Sequence, residues 1–286
     1  MTTQQEKWDV LKILNWTKGY LAEKGVENPR LEAEWMLCEA LTLDRVGLYL
    51  NFDKPLSETE LSSYRGMVLR RGKREPLQYI LGNQEFMGLE FQVSPAVLIP
   101  RHDTEVLVNE GIKRGAAARS ILDIGAGSGC VAVALAKALP GAEVCAVDIS
   151  GEALAVARDN AQRNVASVQF FQGSLLEPFA DRRFDMILSN PPYIPKAELA
   201  TLQLEVRGFE PLGALDGGAD GLDFYRAIVA RAPEHLNAGG WLLFEVGMGQ
   251  APEVLQLLQG GGFAEDCFTA LDPAGIERVV GGRLAQ

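Results

Sequence analysis

Apolar residues recur at helical intervals through the first part of the chain. Trp8, Leu11, Leu14 and Leu21 keep the spacing of one helix face. Leu31, Trp35, Cys38 and Leu41 repeat it after Asn28-Pro29, a capping residue followed by proline at the first helical position. A third helix is predicted from Ser57, because Ser57 and Glu60 have the spacing of a capping box and Leu61, Tyr64, Val68 and Leu69 supply its apolar face. Together these stretches predict a small all-helical domain over residues 1–75, and no motif in it carries chemistry.

The period then changes. Residues 76–82 lead into 85–93, where apolar positions alternate on either side of a turn containing Gly88, so a β-hairpin linker is predicted over residues 76–100. Residues 99–105, Ile-Pro-Arg-His-Asp-Thr-Glu, crowd polar groups at the entrance to a helix opened by Val106, Leu107 and Val108. Asp103 or Thr104 there serves as a cap or belongs to a site, and the pattern leaves both open. Beyond Arg119, short apolar runs at 120–124, 143–149, 168–172, 184–189 and 241–246 alternate with helical stretches. That alternation predicts an α/β domain over residues 101–286, with a mostly parallel sheet covered by helices on both faces. The last two runs, 263–268 and 277–281, have only a loop around Asp272-Pro273-Ala274-Gly275 between them, which predicts an antiparallel hairpin at the sheet edge.

Composition narrows the function classes. The 286 residues are 47% hydrophobic and 23% charged, with no apolar run of the length needed to span a bilayer. The first residues lack the basic and apolar regions of an export signal, so a cytoplasmic location is expected. Cys38, Cys130, Cys145 and Cys267 form no C-x-x-C pair and His102 and His235 are isolated, so neither a disulfide framework nor a metal site is indicated. A net charge of −11 repels phosphate backbones, and nucleic acid is a poor first partner.

Four strand ends carry candidate chemistry. Asp123-Ile124-Gly125-Ala126-Gly127-Ser128-Gly129 opens a helix, and its glycines let the backbone turn sharply and approach a ligand. A dinucleotide fingerprint wants its third small residue where Cys130 stands; here the third glycine comes one place early. Asp148 ends the second strand, where a carboxylate accepts from ribose hydroxyls or caps the next helix. At the third tip stand Gly173, Ser174 and Leu175. The fourth strand runs into Asn190-Pro191-Pro192-Tyr193. Two prolines lock φ and carry no N–H, so this corner offers oxygen acceptors and withholds main-chain donors. A planar –NH2 donates there to the Asn190 oxygen and the Pro191 carbonyl, with Tyr193 available to stack on it. An ordinary strand-ending turn also uses Asn and Pro.

The acid and the G-x-G-x-G loop that follows it resemble the S-adenosylmethionine loop of class I methyltransferases. With the ribose acid and N-P-P-Y, they resemble the enzymes that methylate nitrogen on planar amino or amide groups. Glu75 to Gly82, Ile99 to Glu105, Phe209-Glu210-Pro211, Phe244-Glu245-Val246-Gly247 and Gly275 to Val279 are further similar to the HemK/PrmC family of release factor glutamine methyltransferases. His102 stands where that family usually has proline.

The resemblance implies a Rossmann-like class I methyltransferase sheet and S-adenosylmethionine as cofactor. It implies cofactor contacts from Gly125, Ala126, Gly127, Ser128, Gly129, Asp148 and Asn190, with Leu175 covering the base and Ser174 in place of a common acidic adenine contact. Asn190, Pro191 and Tyr193 are the implied catalytic residues, with Pro192 completing the substrate corner. The implied substrate is the glutamine of the Gly-Gly-Gln loop of peptide chain release factors, bound by a monomer with a helical recognition domain. An adenine N6-directed DNA or RNA methyltransferase uses the same kind of corner, but would want a basic groove. A factor-binding protein with a vestigial fold would not need Asp148 and Asn190 intact.

Overall fold

The computed structural model describes residues 8–285; the opening residues on which the expectation of a cytoplasmic location rests lie outside that range. In chain order the first elements are α1 (Val10–Glu23), α2 (Pro29–Leu41), α3 (Arg45–Leu50), α4 (Glu58–Gly72), α5 (Leu77–Leu81), β1 (Asn83–Phe86), β2 (Leu89–Gln92) and α6 (Thr104–Arg114). They are followed by β3 (Ser120–Ile124), α7 (Cys130–Ala138), β4 (Glu143–Asp148), α8 (Gly151–Arg163), β5 (Val168–Gln172) and β6 (Phe184–Ser189). The chain closes with α9 (Leu204–Phe209), α10 (Asp223–His235), β7 (Leu236–Glu245), α11 (Ala251–Gly260), β8 (Glu265–Leu271) and β9 (Glu277–Arg283).

These elements form two compact units. One runs to Gly82 and takes in Gln203–Phe209; the other holds Asn83–Leu202 and the chain from Glu210 onward. In the first, Leu14, Leu21, Met36, Leu37, Leu48, Tyr64 and Val68 make a continuous core. Asp9 caps α1 by accepting from Lys12 N, and the predicted capping box at Ser57 and Glu60 is present with both bonds made. Four details depart from the expected pattern. Asn28 precedes Pro29 but makes no side-chain cap bond, and α3, not anticipated, starts from Asp44, which accepts from Gly47 N at 2.6 Å. Trp8, Leu11, Trp35 and Leu69 stand exposed, because Val10, Ile13, Ala33 and Met36 supply the buried face instead. Residues 77–81 form helix α5, so the hairpin is confined to β1 and β2.

The second unit is built on a seven-stranded sheet in the order β5-β4-β3-β6-β7-β9-β8. Its first five strands are parallel and β9 is antiparallel to both neighbours, as the closing hairpin predicts. Both faces of the central strands are buried, which is why they read as apolar runs. On β3, Ile121 faces the core made with α6, α7 and α8, and Leu122 faces the one made with α10 and α11. Strand β7 begins at Leu236, earlier than its apolar run suggests, because Leu236 pairs with Phe184 across a bulge. The sheet order reverses between β3 and β6, and ligands of open α/β sheets bind in the crevice beyond such a switch point.

Candidate functional site

The loops leaving β3, β4, β5 and β6 line a single cavity of about 440 Å³ at that switch point. Gly125, Ala126, Gly127 and Ser128 form one wall; Gly129, immediately behind them, caps α7 in a left-handed conformation. An added Cβ on Gly129, at φ +80°, would meet Ala157 Cβ at 3.1 Å, so a side chain is excluded by space and by backbone. The amides of Gly125 and Ala126 both donate to the Val147 carbonyl, at 2.9 and 3.0 Å, which ties the loop to β4.

Asp148 extends that tie. Its Oδ2 accepts from Gly127 N and its Oδ1 from Ser150 N, each at 2.9 Å. The cap of α8 is Ser150, whose Oγ accepts from Ala153 N, so Asp148 is left for the cavity it lines. Each carboxylate oxygen keeps a further lone pair for a hydroxyl group. Beside it, Ile149 is exposed and Leu175 holds a left-handed φ of 51°; both line the cavity with Ser174 and give that side an apolar surface.

Asp123, the acid before the glycine loop, is buried on the cavity wall and its Oδ2 has no hydrogen-bond partner. Burial, helped by the charge of Asp148 and opposed by the Ala132 amide, pushes its carboxyl up to about 8. A lone buried carboxyl oxygen suits a cationic group of a ligand. Neighbouring Cys130 is pushed up to about 12, chiefly by burial, and is inert as a nucleophile.

The fourth wall is the proline corner. Ser189 Oγ donates to the Ile124 carbonyl at 2.8 Å, which seats the end of β6 against β3. Asn190 Nδ2 donates to Thr104 Oγ1 at 3.1 Å, so its Oδ1 is the end left over. Pro191 and Pro192 line the same space. Neither Asp103 nor Thr104 caps α6 with its side chain: Asp103 pairs with Arg278 at 2.9 Å and Thr104 meets Asn190. Across the cavity, Arg101 pairs with buried Glu210 at 2.5 Å, and Pro211, Ala214 and Phe224 close the rim.

Among the expected site residues, Tyr193 does not line the cavity. It packs half-buried against the α10–α11 core, and its carbonyl accepts from Gln250 Nε2 at 2.9 Å. Its phenol is raised chiefly by burial and secondarily by the Glu245 charge. His102 projects outward, 3.3 Å from Glu105. Residues that sequence reasoning left unassigned are Asp123, Ile149, Glu245 and the Arg101–Glu210 pair, and it left Thr104 open between cap and site. For Asp123 the available signal was its place before the glycine loop; Arg101, Glu210 and Glu245 lay inside strings that carried the resemblance, without a role of their own.

The arrangement fits S-adenosylmethionine: a glycine wall, a carboxylate at a strand tip, an apolar cover and an unpartnered buried acid. Among the described residues no group of His, Cys, Asp and Glu is placed to hold a metal ion. Residues 12–82 match the family described as the PrmC N-terminal domain, and residues 102–205 match the methyltransferase small domain. The chain is 63% identical over 284 residues to a release factor glutamine methyltransferase of Geobacter sulfurreducens, covering 99% of this chain and 100% of that one. It is 43% identical over 275 residues to the enzyme of the same name from Chlorobaculum tepidum, covering 92% and 93%. A crystal structure of a methyltransferase from Pyrococcus furiosus shares the fold at a TM-score of 0.55 and 18% identity, over 79% of this chain and all of that one. With the glycine loop, the ribose-type acid and the proline corner around one cavity, the chain belongs to the family of release factor glutamine methyltransferases.

Proposed function

We propose that this chain moves a methyl group from S-adenosylmethionine to the side-chain amide nitrogen of the glutamine in the Gly-Gly-Gln loop of peptide chain release factors, with Asn190 and Pro191 holding the amide. The observation that carries the role of the corner is the Asn190–Thr104 bond, which turns Nδ2 away and leaves Oδ1 as an acceptor beside the cavity. A primary amide presents two protons in one plane, and the Asn190 oxygen and the Pro191 carbonyl supply two acceptors. Gly125, Ala126, Gly127 and Ser128 give a wall of small residues, Asp148 accepts from the ribose, Ile149 and Leu175 cover the base and Asp123 meets the cationic amino group. When bound, S-adenosylmethionine supplies a methyl group made electrophilic by its sulfonium.

An amide nitrogen is a weak nucleophile because its lone pair is delocalised into the carbonyl. Holding both N–H groups orients that lone pair and places two partial negative charges where positive charge develops on nitrogen. The nitrogen gains its bond to carbon as the methyl–sulfur bond breaks, and the surplus proton leaves the now acidic nitrogen afterwards. No base is needed beforehand. Tyr193, seated in the core, acts by holding the corner through its packing and its carbonyl rather than by stacking on the substrate.

The same reading makes residues 1–75 the part that recognises the release factor, and needs neither a second copy nor nucleic acid. All the residues assigned to the reaction come from one chain, and the net charge of −11 disfavours polyanions. Among the described residues no helix is long and apolar enough to cross a membrane, and a cytoplasmic enzyme would meet its substrate directly. The test is transfer of radiolabelled methyl to a purified release factor, to its loop Gln→Glu variant and to adenine-rich DNA and RNA. Label in the first alone is expected; methyladenine without protein label would overturn the reading.

A further inference from the structure

Behind the proline corner lies a carboxyl group that the reaction just described does not use. Glu245 ends β7, next to the strand that delivers Asn190, and only 1% of its surface is exposed. Thr104 and Asn190, joined to each other at 3.1 Å, are both near enough to the carboxyl to favour its charged form, while its Oε2 is buried without a partner. A buried carboxyl half-satisfied in this way is costly to keep for packing alone.

We infer that Glu245 is a positioning residue: directly and through Thr104 it dictates which end of the Asn190 amide faces the substrate. The inference rests on the acceptor role proposed for Asn190. The two ends of an amide are nearly alike in shape, so the surrounding hydrogen bonds decide its orientation. An ionised Glu245 only accepts. The single Thr104 hydroxyl proton is then donated to Glu245, and Thr104 Oγ1 is left to accept from Asn190 Nδ2, the arrangement observed at 3.1 Å. Oδ1 consequently points away, toward the acceptor site. A protonated Glu245 reverses the chain. Its hydroxyl donates to Thr104, the Thr104 proton turns to Asn190 Oδ1, and the amide presents its NH2 to the substrate's NH2, donor against donor.

The groups around Glu245 set where this reversal occurs. Burial is the largest influence and pushes the carboxyl up to about 7; Thr104 and Asn190 oppose it, Asp103 reinforces it and Arg278 opposes it. From α10, the Tyr225 hydroxyl donates to the Glu245 backbone carbonyl at 2.9 Å, and Tyr193 and Cys130 also feel the Glu245 charge. The two phenols and the thiol are all raised, and the Arg278 guanidinium is raised as well, so these four keep one charge state through neutral pH.

The experiment compares kcat against pH, from 6 to 9, for the wild type, Glu245→Gln, Thr104→Val and Thr104→Ser, with a purified release factor as substrate and donor affinity measured alongside. The wild type should rise through about pH 7 to a plateau. Glu245→Gln should lose that limb and at least about tenfold in plateau kcat, with donor Kd and release factor KM within about threefold. Thr104→Val should fall similarly, and Thr104→Ser, which keeps the hydroxyl, should recover most of the loss. Thermal unfolding of each variant identifies any that fails to fold, and the threonine pair then decides the matter. A Glu245→Gln enzyme with the wild-type limb and plateau would overturn the inference while leaving the function intact. A wild type that does not label release factor would remove the functional reading and this inference with it.

Discussion

Asp148 Oδ2 accepts the backbone N–H of Gly127 at 2.9 Å, so the acid at the tip of β4 also braces the glycine wall after β3. Truncating it therefore removes a ligand acceptor and a support of the loop together. Asp148→Ala should weaken S-adenosylmethionine binding by roughly ten- to a hundredfold, the scale of one charge-assisted hydrogen bond or somewhat more. Calorimetry on the folded variant reads this directly. Unchanged affinity would mean the ribose lies elsewhere.

Asn190→Ala removes an acceptor whose work is done as charge develops on the substrate nitrogen. Turnover should drop on the order of a hundredfold while donor affinity stays within severalfold. Single-turnover methylation of a release factor with saturating donor measures the first, and a binding titration the second. Near-normal turnover would take the corner out of the mechanism.

Gly129 is a position where both backbone and space demand glycine. Gly129→Ala places a Cβ 3.1 Å from Ala157 Cβ and 3.2 Å from Ala157 Cα at a φ of +80°. A loss of about 1–3 kcal/mol in urea unfolding is expected, together with weaker donor binding as the wall shifts. Gly213, where an added Cβ meets nothing, is the control on the same cavity rim.

Acid and alkaline limbs of stability have different owners. The Lys54 ammonium, with the Ser57 backbone and side chain, holds Glu60 at about 2, below the ordinary carboxylate range. Its contribution is complete above that ordinary range and is lost as pH falls toward 2. Asp123 runs the other way. Raised by burial to about 8, it favours the folded state fully below its ordinary value and loses that contribution as pH rises to about 8. Asp123→Asn should accordingly raise the Tm of the ligand-free protein at pH 8 and change it little at pH 4, whereas Glu60→Gln should lower Tm at pH 7 and converge on the wild type near pH 2. Thermal melts across pH decide both.

Much of this protein was legible one string at a time. Alternation and apolar runs located the strands, because β3, β4 and β6 are buried on both faces and need unbroken apolar sequence. Asp123 to Gly129, Asp148 and Asn190 to Pro192 were legible because each places its groups through local backbone geometry: a left-handed turn, a strand tip, a pair of locked φ angles. Where partners are distant in the chain, the tertiary structure alone decided. Thr104 and Asn190 are 86 residues apart, Arg101 and Glu210 109 apart, and Arg71 and Glu205 134 apart, the last joining α9 to the helices around α4. Tyr193, read from its neighbours as a stacking surface, is drawn into the core, and Asp103, read as a possible cap, is claimed by Arg278. The charge on Glu245 is likewise a property of its burial and of side chains from other elements, which local sequence does not contain.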